Sequence, residues 1–189
     1  MYKSFLLFLF SFSSSFSENN LYSWIETIPK PWELSHKNID THLTGFHKKF
    51  PNFHDRLIAL NIWRVGTPYG IFCLGEERGV DKDPIIRIDT SDCTVHVLTT
   101  IAFAESESFN EARDAMIRLH YKPDEDSKIE PTYKSRWHFT SDRILNHSKT
   151  PDITSSICNP TELETVEIEL NKKKNGKQFL NLSWTSKEL

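Results

Sequence analysis

Zinc-ribbon cysteine pairs, an HExxH motif and a glycine-rich phosphate cradle are all missing from this chain, so neither a metal site nor a cofactor is expected. A basic excess is missing too. The 23 Lys and Arg against 26 Asp and Glu leave a formal charge of −3, which argues against a nucleic-acid partner. Beyond residue 20 no run approaches the ~20 apolar residues of a membrane span. Internal repeats are absent. What is present suffices for a packed core: 38% of the 189 residues are hydrophobic and 12% aromatic, which excludes wholesale disorder and fits one modest domain.

The first residues read as an export signal. Lys3 supplies the positive charge, Phe5 to Phe12 an apolar core too short for a membrane span, and Ser15 and Ser17 the small residues before a cleavage site. We therefore expect residues 1–17 to be a signal peptide, residues 18–52 an N-terminal arm, and the product to be exported to the periplasm or cell envelope, with no stable membrane span after cleavage. An oxidising compartment permits disulfides. The chain has three cysteines, Cys73, Cys93 and Cys158, and an odd number leaves at least one unpaired. A Cys73–Cys158 bond would leave Cys93 free, though the sequence does not establish that pairing.

The most informative stretch runs from Ile85 to Ala104. Ile85–Ile88 reads as a short β-branched strand, followed by a polar turn and then a helix that begins at Cys93. Ser91 and Asp92 are both good N-cap residues. The first helical turn has unpaired N–H groups and the positive end of the helix dipole, which together stabilise a thiolate. Cys93 is thus a candidate nucleophile; the plainer alternative is a small buried hydrophobe.

Elsewhere, a short helix is expected near residues 21–27, followed by an irregular arm that carries Pro29, Pro31 and Pro51. A helix from Phe53 to Val65, capped by Asn52, has a Leu57, Leu60 and Trp63 stripe that belongs to a core. Ser108-Phe-Asn-Glu111 is a capping box opening a helix to His120. Thr132–Thr140 and Leu163–Leu170 read as extended, the latter by alternation, and Phe179–Trp184 as a further strand.

Three pieces occur in a telling order: Arg56-Leu-Ile-Ala-Leu60 running into Gly66-Thr-Pro-Tyr69, then Asp89-Thr-Ser-Asp-Cys93-Thr, then Arg136-Trp-His138-Phe with Asp142 and Asp152-Ile-Thr154. Over roughly residues 53–182 the chain resembles the DUF1460 family of exported N-acetylmuramoyl-L-alanine amidase-like proteins, a branch of the NlpC/P60 (papain-like) cell-wall hydrolases. The resemblance implies an α+β papain-like NlpC/P60-type fold with helices packed on an antiparallel sheet. Residues 53–189 would then be the N-terminal portion of such an amidase domain. It implies peptidoglycan fragments as the substrate, and Cys93 as the nucleophile on the amide between the lactyl group of N-acetylmuramic acid and L-alanine. Tyr69 would stand near the cleft, with Asp92 and Arg136 beside the substrate; a packed loop aromatic and an ion-paired arginine are the plainer readings of the first and last.

The chain also departs from the family pattern. Trp137 stands where asparagine is usual and Leu98 where glutamate is usual. No histidine follows His147, so the family's later histidine-bearing segment has no counterpart in this sequence. His138 is then the best candidate base, with Asp142 or Asp152 to orient it; His96, at i+3 from Cys93, is another nearby imidazole. Three readings follow: a cysteine amidase, a non-catalytic remnant or wall-peptide-binding module, and a disulfide-stabilised binding module.

Overall fold

The computed structural model describes residues 22–164 and the backbone of 173–174 and 177–178. The chain divides into two compact units, residues 1–149 and 150–189. In the first unit a helical segment at 22–27 (α1) and a 3-10 turn Pro31–Glu33 lead into α2 (His36–Lys49) and α3 (Phe53–Trp63). A long loop follows, then α4 (Cys93–Ala104), α5 (Phe109–His120), a second loop and α6 (Thr140–Asn146).

The caps explain the helix starts. Asn52 accepts from the His54 and Asp55 amides, Asp92 from Val95, and Ser108 from Glu111, so each meets an N–H that has no intrahelical partner. The reciprocal arm of the expected capping box is displaced by one residue: Glu111 accepts from the Glu107 amide over 2.9 Å.

α4 lies at the centre, packed on α2, α3 and α5. Val95, Leu98, Ala102, Phe103 and Ala104 are all buried on it, as befits a helix apolar on most of its faces. Around it, Trp63 is fully enclosed, with Phe46 at 5.0 Å between ring centres and its indole N–H donating to the Pro29 carbonyl over 2.8 Å. Arg56 ties α3 to the C-terminal end of α4, donating to the Ala104, Phe50 and Pro51 carbonyls; a guanidinium is well placed there, where carbonyls lack partners.

The arm is not irregular after α1, because α2 fills 14 residues of it. Its inward stripe is sparse, Ile39, Leu43 and Phe46, but these pack under Trp24 and Trp63, and tertiary burial sustains a helix whose own pattern is weak.

The larger correction concerns the sheet. Residues 22–164 contain no strand, only isolated bridges such as Tyr69 with Ser91 and Tyr121 with Arg136. The sole strand pair among the described residues is Lys173–Lys174 against Lys177–Gln178. This part of the chain is helical, not α+β, and carries no antiparallel sheet of the NlpC/P60 papain-like type. The physical reason is visible at 85–88. Ile85, Ile86 and Ile88 are all buried, at 1%, 3% and 4% exposure, so the segment does not alternate faces as a half-buried strand must. Its neighbours meet the loop at 68–77 through scattered bonds, such as Gly75 N–H to Pro84 on one side and the isolated bridge at Ser91, whose N–H reaches Pro68 and whose carbonyl accepts from Gly70, on the other. β-branched residues here plug a core without building a ladder. Residues 132–135 form a turn held by the Thr132 and Ser135 hydroxyls. Most of the expected strand at 163–170, and all of that at 179–184, lies outside the described residues.

In the second unit, the described residues form a single helical turn α7 (Thr154–Ile157) and a 3-10 turn Pro160–Glu162, besides the short strand pair. No helix among the described residues is long and apolar enough to cross a membrane.

Candidate functional site

Cys93 is the first residue of α4 and its side chain is exposed. Its position is set by Asp92, whose Oδ1 accepts from the Val95 amide at 2.8 Å while Oδ2 accepts from Phe72 at 3.2 Å. The cap therefore also pins the loop that walls the site. Both oxygens of Asp92 are spent on backbone, which makes it a positioning group for the turn that carries Cys93. The Cys93 and Thr94 amides, in that turn, have no intrahelical carbonyl to bond.

Cys93 opens onto a cavity of about 500 Å³ whose wall also includes Tyr69, Arg136, His138, His120 and Arg143. Thus Cys93, His138, Tyr69, Asp92 and Arg136 meet at one cavity. Tyr69 is 76% exposed and stands on the loop bridged to Ser91. His138 is exposed; its Nε2 lies 2.7 Å from the Tyr133 carbonyl and its ring rests on Tyr133 at 4.6 Å. A carbonyl only accepts, so Nε2 carries a proton, and in the neutral tautomer Nδ1 is the lone-pair nitrogen.

The two aspartates expected beside His138 are elsewhere engaged. Asp142 accepts from Lys122 Nζ at 2.7 Å and from Asn146 Nδ2 at 2.9 Å. Asp152 belongs to the second unit and accepts from the Thr154 amide. His96 faces a shallower hollow, of about 390 Å³, that Cys93 also borders. Burial, and then the Arg64 charge, hold His96 below its ordinary value.

Arg136 is committed to carboxylates of this chain. Its Nε and Nη2 both reach Glu76 Oε1, and Nη2 also donates to Asp81 at 2.9 Å. Burial works against that charge, but the two carboxylates outweigh it and raise the guanidinium above its usual range. Arg87, beside the turn that carries Cys93, pairs with Asp89 at 2.7 Å.

Two residues of the wall were not read from sequence. His120, the last residue of α5, is buried, and its Nδ1 accepts from Arg143 Nη2 at 3.1 Å. Burial first, then the Arg143, Arg136 and His138 charges, push its pKa down to about 3, so it is neutral at ordinary pH. A signal existed, since His120 continues the inward stripe of Ala112 and Met116 at i+4 spacing. Arg143, on the short α6, had no comparable signal. All three cysteines are free. Among the described residues no cluster of His, Cys, Asp and Glu could hold a metal ion.

Comparison with known proteins agrees with the resemblance seen in the sequence. The family model described as AmiA-like, N-acetylmuramoyl-L-alanine amidase-like, matches residues 62–189. The crystal structure of protein LPG0564 from Legionella pneumophila, a DUF1460 protein, is similar with a TM-score of 0.53 and 26% sequence identity; the likeness covers 66% of this chain and 43% of that one. This chain thus matches less than half of that relative's length. No curated protein matches.

Proposed function

Because the chain belongs to the AmiA-like family of N-acetylmuramoyl-L-alanine amidase-like proteins, we propose that it is an exported cysteine amidase acting on the bond between the muramic lactyl group and L-alanine in peptidoglycan fragments. One observation carries this reading: Cys93, at a helix N-terminus, and His138, with Nδ1 as its lone-pair nitrogen, line the same cavity.

Cys93 Sγ attacks the lactyl carbonyl carbon and forms a C–S bond while the thiol proton passes to His138 Nδ1. The Cys93 and Thr94 amides stabilise the oxyanion. As the tetrahedral intermediate collapses, the C–N bond breaks and His138 returns the proton to the departing L-alanine amine. Water, deprotonated by His138, attacks the thioester; the C–S bond breaks, leaving a lactyl carboxylate and a free thiol. Asp92 positions the nucleophile's turn, and the exposed Tyr69 offers its ring to the sugar or peptide at the rim. The residues of the expected signal sequence lie outside those described, so export rests on the sequence pattern.

The test is digestion of purified muropeptides by the full chain and by Cys93→Ala, with products read by mass spectrometry. Cys93-dependent appearance of peptide with a free L-alanine amine supports the amidase. Binding without cleavage, by a protein that melts cooperatively, would replace it with a wall-peptide-binding module.

A further inference from the structure

The cavity holds two guanidinium groups in opposite situations. Arg136 is neutralised by Glu76 and Asp81. Arg143 is 94% buried by its 6% exposure, and among the described residues it makes no ion pair. Its Nη2 donates to His120 Nδ1 at 3.1 Å and to the Trp137 carbonyl at 3.3 Å, both neutral acceptors. Nε is enclosed without a partner, and Nη1 makes no hydrogen bond among the described residues although Arg143 lines the cavity. Burying a cation without an opposing charge is costly, and burial alone lowers its pKa. The other charges on the wall do not relieve it: Asp81 is taken by Arg136, and Asp92 accepts from two backbone amides.

We propose that Arg143 is the carboxylate receptor of this cavity, its guanidinium taking a free carboxylate of the peptide whose muramoyl amide lies at Cys93. This rests on the amidase reading. An arginine suits the task because its planar fork matches a carboxylate and the charge-assisted bonds are strong. The two bonds from Nη2 fix the plane of the fork in advance, and the neutral His120 serves as its backing. The sequence pointed to Arg136 for this work; its two carboxylate partners leave the role to Arg143.

The experiment uses the full chain with Cys93→Ala to prevent turnover, and calorimetric titration with N-acetylmuramoyl-L-alanyl-D-glutamate, its two monoamides and its diamide. Arg143 intact should favour the diacid over the diamide by roughly ten-fold or more, the scale of one hydrogen bond to a charged group. The monoamides identify which carboxylate is read. Arg143→Met should abolish the preference and Arg143→Lys should keep part of it. An unchanged preference in Arg143→Met overturns the proposal. Because Arg143→Met could disturb folding, the ¹⁵Nε resonance of Arg143 is followed separately with N-acetyl-D-glutamate. If that resonance shifts while no muropeptide binds, the carboxylate site stands and the amidase reading fails. If it stays still throughout, the receptor role is wrong.

Discussion

His138 donates from Nε2 to the carbonyl of Tyr133 across 2.7 Å. That bond sets the imidazole's tautomer without any carboxylate, leaving Nδ1 as the lone-pair nitrogen. His138→Gln should lower kcat by roughly 10²–10⁴-fold, the usual worth of a general base, while the protein's melting temperature hardly moves, since the side chain is exposed. Steady-state kinetics beside a thermal melt checks this.

Asp142 is the contrasting case. Its oxygens face Lys122 and Asn146, and the Lys122 pair is partly exposed, so it contributes little. Asp142→Asn should therefore leave turnover within about two-fold and stability within about 0.5 kcal/mol. A large loss of kcat with unchanged folding would show that Asp142 acts on the reaction after all.

Asp92 joins stability to function. Asp92→Ala removes the cap of α4 and the anchor of Phe72, and should cost about 1 kcal/mol of stability; Asp92→Asn, whose single carbonyl oxygen can still cap the Val95 amide but whose NH2 cannot accept from Phe72, should cost less. Denaturant titration measures the first effect. Loss of kcat beyond what the unfolded fraction explains would reveal the second.

His120 predicts a pH dependence with a definite sign. Its folded pKa is about 3 against an ordinary 6.5, so between these values the unfolded chain binds a proton that the folded chain excludes. Stability contributed by the neutral ring is present above pH 6.5 and falls as pH drops toward 3, by at most about 1.4 kcal/mol per pH unit. His120→Gln should flatten that slope in urea titrations across the window. A slope equal to the wild type's would mean that other groups carry the acid sensitivity.

Local chemistry made the helix starts legible, but not the fold class. Asn52, Asp92 and Ser108 announced helix starts because a side-chain oxygen near unpaired amides is a local matter. The family too was legible, from short pieces spread along the chain. Tertiary context hid the rest. α2 went unread because its three inward residues need Trp24 and Trp63 to cover them. The isoleucines at 85–88 looked like a strand because β-branched residues also suit an irregular core segment. Arg143 was invisible because its significance lies in what surrounds it: a neutral histidine, a carbonyl and a cavity.

The most direct test of the central claim is digestion of an N-acetylmuramoyl-L-alanyl peptide in ¹⁸O-labelled water, by the full chain and by Cys93→Ala. Thioester formation at Cys93 and its hydrolysis by water require one labelled oxygen in the muramic-acid carboxylate, none in the released peptide, and no products from Cys93→Ala. Label in the peptide, or cleavage that persists without Cys93, would contradict it.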